Sequence, residues 1–208
     1  AYARTDESAN ELADGAAELE ARSTAVIDAF TLGIAGALAA GSSSTGAAIA
    51  GAGSGSGNSI TNTIEATVRG SSLTTGGNVR LEAEDDSSIE ALAGSAAITI
   101  AAGSSTNVGV GLGLSITIND IDNDVLAIID DSDVDSGGNV TLSALSTAEI
   151  DATAFGAAIS VAAGSDGTGV SVAATGTVAD NSITNTIRAA VEDFFVAGVV
   201  DLLEDSYA

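Results

Sequence analysis

The chain repeats itself every 61 or 62 residues. "NSITNTI" begins at Asn58 and again at Asn181, with "NDIDNDV" midway at Asn119. "IDA" at Ile27, "IEA" at Ile89 and "IDA" at Ile150 keep that spacing. So do "AAGSSS" at Ala39, "AAGSST" at Ala101 and "AAGSDG" at Ala162, and "GGNV" recurs at Gly76 and Gly137. A fixed period of this kind means that each unit is one supersecondary piece, completed by its neighbours. The array divides into residues 1–23, the tail of a preceding repeat, then repeats at 24–85, 86–146 and 147–208.

Within a repeat the period is two. Val79, Leu81 and Ala83 alternate with Arg80, Glu82 and Glu84, which is the pattern of a half-buried strand. Beyond Leu92 both faces turn apolar, through Ala96, Ile98 and Ile100. The same switch follows Ile27 (Phe30, Leu32, Ile34, Leu38) and Ile150 (Phe155, Ile159, Val161). A turn at "GSSTN", 103–107, leads into "VGVGLGLSITI" and then "DIDNDVLAIID", read as two strands. "DSDVDSGGN" turns the chain back.

One repeat therefore goes out along about 24 residues and returns along two strands of about 11 each, a layer roughly 80 Å wide at ~3.3 Å per residue. The expected fold is all-β: a flat, wide β-solenoid of ~61-residue repeats, stacked about 4.8 Å apart. A β-helix with rungs of about 20 residues and layers of antiparallel β-hairpins are the alternatives. Asn62, Asn123 and Asn185 share one inward face, once per repeat. In a solenoid they stack as an amide ladder, which satisfies buried amides with one another. "VEDFFVAGVVDLLED" fits the repeat as strand, with an amphipathic helix as its rival: Val191, Phe194, Phe195, Val199, Leu202 and Leu203 follow helical spacing.

Charge narrows the partners. There are 29 acidic residues against five basic, all of them Arg, for a net charge of −24. Nucleic acid is excluded as a partner, because phosphate binding needs a basic face. Anionic membranes are disfavoured for the same reason. "AVIDAFTLGIAGALAAG" is apolar enough to suggest a membrane helix, but it carries Asp28, and its copies carry Glu90 and Asp151. A membrane barrel would want aromatic girdles, and the chain has four Phe and two Tyr. No membrane insertion is expected.

Chemistry is sparse. His, Cys and Lys are absent, so the usual bases and nucleophiles are missing, and no enzyme and no catalytic residue is expected. Asp131, Asp133 and Asp135 alternate as in the first half of a calcium loop, which makes them the one candidate metal site, for Ca²⁺. Such a loop of the EF-hand type wants Gly at its sixth position and Glu at its twelfth, where this chain has Ser136 and Leu142. A solvated acidic turn is the plainer reading. Thr61 and Thr63, like Thr184 and Thr186, make short T-x-T rows of the ice-binding kind, but Asp122 and Asp124 interrupt them. "NVT" at Asn139 is a lone glycosylation sequon.

The anchors "SGGNVTLSA", "AEIDATA" and "NSITNTI" resemble the repeats of large secreted bacterial β-strand-repeat proteins, in the style of filamentous-haemagglutinin-type adhesins. The resemblance covers nearly the whole chain and rests on pattern and turn residues. The period departs from that style, being nearer 61 than 20. The resemblance implies an extracellular or cell-surface, elongated β-solenoid acting in adhesion or matrix. Neither end shows Pro or Lys to blunt an open edge. Open matching ends predict head-to-tail continuation, either between subunits or within a longer chain, so the expected function is structural: a filament or fibre, the chain itself being the partner axially and laterally. A Ca²⁺-dependent or glycan-binding adhesin stalk, with a cell-surface receptor or glycan as partner, is the alternative. The doubly apolar stretches need a cover, from the same chain or from a neighbouring filament.

Overall fold

The computed structural model describes residues 15–41, 45–193 and 195–206. The chain is all-β with parallel sheets. Its strands are β1 (Ala17–Ser23), β2 (Val26–Gly41), β3 (Gly46–Arg69), β4 (Ser72–Thr75), β5 (Val79–Asp85) and β6 (Ser88–Gly103). They continue with β7 (Asn107–Asp130), β8 (Asp133–Ser146), β9 (Glu149–Gly164), β10 (Gly169–Glu192) and β11 (Phe195–Ser206). The helical alternative for the last segment is thus replaced by strand from Phe195 on, while Phe194 lies outside the described residues.

Strands pair with their counterparts in the next repeat. The three sheets run β1-β5-β8-β11, β2-β6-β9 and β3-β7-β10, with β4 also on β8. Every pair is parallel. Ile27 sits beside Ile89 and Ile89 beside Ile150, while Asn62 sits beside Asn123 and Asn123 beside Asn185. Neither antiparallel hairpins nor pairing at about 20 residues occurs among the described residues.

The alternation of 61 and 62 has a local cause. Four residues separate Gly41 from Gly46, three separate Gly103 from Asn107 and four separate Gly164 from Gly169. The middle repeat is thus one residue shorter at this turn, and the strands on either side stay in register. Only the β11–β8 pair slips, between Ala197 and Val199.

One expectation is corrected. The return path is a single 24-residue strand, β7, and not two strands of about 11. The outward path is the broken one, with a corner between β5 and β6. The change at Asp120 from apolar to acidic outward residues alters what faces solvent and leaves backbone pairing intact.

The β3-β7-β10 sheet covers both other sheets on one side, and the two halves it covers have different interiors. Against the β1-β5-β8-β11 sheet the core is aliphatic: Val79, Leu81, Val125, Ile129, Val140 and Leu142 are fully buried. Against the β2-β6-β9 sheet Ile60, Ile89 and Ile121 fill the core next to the β5–β6 corner, and beyond them it is built of small residues. A Cβ on Gly111 would stand 3.3 Å from the Ile159 carbonyl oxygen, and one on Gly113 3.1 Å from that of Ala157. Backbone nearly touches backbone there, so only Gly, Ala, Ser and Thr fit. This thin half holds polar groups inside: the hydroxyls of Thr31, Ser95 and Thr117 are buried with no hydrogen-bond partner. Its large apolar residues point outward on both faces, Ile34, Leu38, Ile98 and Ile159 on one and Leu114 and Ile118 on the other.

Candidate functional site

Polar side chains recur at fixed positions along the seam where the thick and thin halves meet. Asn62, Asn123 and Asn185 do align, but not amide to amide. The Asn123 carboxamide oxygen accepts from the Asn62 backbone N–H at 2.8 Å, and that of Asn185 from the Asn123 N–H at 3.2 Å. Their amide nitrogens turn sideways. Asn62 donates to Ser23 Oγ at 3.3 Å, Asn123 to Asp85 Oδ2 at 2.9 Å and Asn185 to Ser146 Oγ at 2.8 Å.

The amide-to-amide ladder lies four residues earlier. Asn58 Nδ2 donates to Asn119 Oδ1 at 2.7 Å, and Asn119 Nδ2 to Asn181 Oδ1 at 2.8 Å. Sequence reasoning missed this row. Its signal was present, since Asn58, Asn119 and Asn181 keep the repeat spacing just as the other three do.

Asp85 is the unusual member of the seam. Its counterparts are Ser23 and Ser146, so one repeat alone places a carboxylate where its neighbours place a hydroxyl. Asp85 is fully buried. Besides Asn123, it accepts from Ser87 Oγ at 2.5 Å and from Ser146 Oγ at 3.1 Å. Hydrogen bonds to both oxygens replace the water that burial removes.

Asp131 has a structural task. It adopts φ 45°, in the left-handed region, and so do Asp193 (φ 41°) and Gly70 (φ 58°). These three occupy the same repeat position, the turn out of the 24-residue strand. Gly, Asn and Asp tolerate that conformation best. Asp133 and Asp135 are exposed on β8 on either side of buried Val134. Among the described residues no group of three or more His, Cys, Asp or Glu side chains converges as a metal site.

Among the described residues Arg22, Arg69, Arg80 and Arg188 pair with carboxylates on the surface. Arg22 lies 3.1 Å from Glu84, and Arg69 3.9 Å from Asp130. Arg80 donates to Glu82, a bond that raises its pKa above the ordinary arginine value. All these pairs are partly exposed, so each stabilises little. Arg22→Ala is expected to shift stability by less than about 1 kcal/mol in urea titration. A larger loss would show that the Arg22–Glu84 pair clamps β1 to β5.

The arrangement therefore fixes register between repeats: bonded columns of like residues, each satisfied only when the next repeat is one full period away. No family model, curated protein or solved structure matches the chain, so its functional reading rests on this geometry.

Proposed function

We propose that the chain is a structural protein: an extracellular β-solenoid whose repeats are successive coils, and which grows head-to-tail into a filament or fibre for adhesion or matrix. One observation carries the reading. Among the described residues the two terminal sets of strands have no strand on their outer edges, and they match each other. β1, β2 and β3 border one end, while β9, β10 and β11 border the other. β2 and β9 both have 16 residues, and β3 and β10 both have 24. The rule that seats β7 on β3 and β10 on β7 can seat the β3 of another copy on β10. A heterologous contact of this kind does not close, so it propagates. The acidic surface keeps such filaments dispersed from nucleic acid and anionic membranes.

The test uses an edge donor. In a parallel strand alternate residues direct their N–H groups toward the same neighbour. In β7 the N–H groups of Asn107 and Asn123 point toward β10. The matching residues of β10, Ala179 among them, direct theirs off the open edge, and Ala179 is exposed. Ala179→Pro removes one outward donor and sets a ring on the edge. Wild-type protein in excess EDTA is expected to give long uniform filaments by negative-stain microscopy. Ala179→Pro is expected to give single particles with an unchanged far-UV circular dichroism spectrum. Monodisperse wild-type particles that assemble only with Ca²⁺ would overturn the reading in favour of a calcium-dependent stalk.

A further inference from the structure

Each repeat contains a long block without charge, centred on the turn of the thin half. In the middle repeat it runs from 91 to 119, bounded by Glu90 and Asp120. In the first it runs from 29 to 64, and in the third from 152 to 179 with Asp166 alone, at the turn. The thin half thus inverts the usual distribution. Hydroxyls and glycines lie inside, and Ile, Leu, Val and Phe lie outside on two opposite faces.

The face of the β2-β6-β9 sheet is the more continuous. Its outward rows place Gly36, Ile98 and Ile159 side by side, and Leu38, Ile100 and Val161 beside them. Ile34 and Leu38 are more than 70% exposed. Phe155 lies over Gly94, in the space that a Cβ there would need, and fills the gap between rows. The opposite face is interrupted. Gly51, Gly53, Gly55 and Gly57 leave a trough beside the ridge of Leu112, Leu114, Ile116 and Ile118, and Asp180 ends the row of Ile118.

We infer that the β2-β6-β9 face is an interface with a second copy of this chain, the same face of each copy packing sheet against sheet. The inference rests on the head-to-tail reading above. Lipid is the poorer occupant for a reason of position. The polar turns, with Ser104, Ser105 and Asp166, lie at the far tip of the apolar half, so insertion would bury them deepest. Hydrocarbon cannot satisfy a turn's backbone. A second copy has no such defect: its rows have the same spacing, its face is equally free of charge, and its acidic half stays in water. Face-to-face sheets about 10 Å apart interdigitate such rows.

Area decides when the contact forms. The apolar band spans about 26 Å along the strands and about 14 Å across three of them, a footprint of roughly 400 Å² per copy at standard strand spacings. Two such footprints bury about 800 Å², short of the ~1,200–2,000 Å² of a stable interface. Single chains therefore do not pair. Head-to-tail growth adds the same area with every subunit, so pairing follows filament formation.

The measurement is mass per length of filaments by scanning transmission electron microscopy. Wild type is expected at twice the value for a single file of subunits. Ile98→Glu, which puts a carboxylate in the middle of the band, is expected at the single-file value with filaments still present. Leu114→Glu, on the opposite face, is expected to stay at the doubled value. Single-file wild-type filaments would overturn the inference and leave the head-to-tail reading standing. Loss of pairing by Leu114→Glu and not by Ile98→Glu would overturn the choice of face. Absence of filaments in every variant would remove the head-to-tail reading, and this inference with it. Co-flotation of wild type with phosphatidylcholine vesicles, abolished by Ile98→Glu, would give the face to lipid and overturn the second copy.

Discussion

Gly111→Leu is expected to unfold most of the chain under conditions where wild type is fully folded, while Gly51→Val stabilises it. Both glycines lie in the β3-β7-β10 sheet, and they face opposite ways. Gly111 points into the thin half, where a Cβ would already lie 3.3 Å from the Ile159 carbonyl oxygen, 3.7 Å from Thr99 Oγ1 and 3.8 Å from the Ala97 carbonyl oxygen. The rest of a leucine would have to occupy backbone. Separating the two sheets is the only relief. The cost is at least about 3 kcal/mol, the upper range for overpacking. Gly51 points outward, with nothing within 4 Å of its Cβ. A β-branched side chain there removes the entropy cost of a strand glycine, a gain of about 0.5–1 kcal/mol. Urea titrations followed by circular dichroism should move in opposite directions. Shifts of the same sign would mean that the thin half is not packed as described.

That contrast was only half visible in the sequence. The period follows from the spacing of Ile27, Ile89 and Ile150, and the alternation of apolar and polar residues from runs such as Val79 to Glu84. They predict strands, and the strands are there. Which face of "VGVGLGLSITI" turns inward is not decided by hydrophobicity, because the larger residues are the outward ones. Gly109, Gly111 and Gly113 face in because the opposing backbone leaves no room, and that distance is a tertiary fact. The break expected near Asp120 failed for a related reason: changing the outward residues from Ile118 to Asp120 affects solvation and not pairing.

The polar seam shows the same limit. Two Asn rows share one spacing, and nothing local separates them. Asn123 turns its amide aside because Asp85, 38 residues earlier, supplies an acceptor there. Asn119 has no such neighbour on the adjoining sheet and bonds along its own row. The turn at Asp131 was legible in a different way. Its alignment with Gly70 and Asp193 marks a left-handed position, and the alternation with Asp133 and Asp135 drew attention to metal chemistry instead.

Asp85 and Asn123 are expected to behave as one unit. Asn123→Ala removes the 2.9 Å donor to a fully buried carboxylate and also the acceptor for the Asn62 N–H. Leaving a buried charge short of a donor costs about 3 kcal/mol or more. Asp85→Ser makes the middle repeat like its neighbours, where Ser23 and Ser146 already receive the amides of Asn62 and Asn185. A hydroxyl can serve as acceptor and costs far less to bury than a carboxylate, so this change is expected to be neutral or stabilising. In the Asp85→Ser background, Asn123→Ala then strands only neutral groups, and its cost should fall to about 1–1.5 kcal/mol. A double-mutant cycle by urea titration is therefore expected to give a coupling of at least about 1.5 kcal/mol between the two positions. Additive effects, with a coupling below about 0.5 kcal/mol, would mean that Ser87 and Ser146 satisfy the carboxylate without Asn123. The sign of Asp85→Ser separates two roles for the carboxylate. Stabilisation would show that the buried charge is held at a cost to the fold. Its use would then lie in register: a repeat slipped by even one period would set Asp85 against Asn62 or Asn185 and leave Asn123 facing a serine.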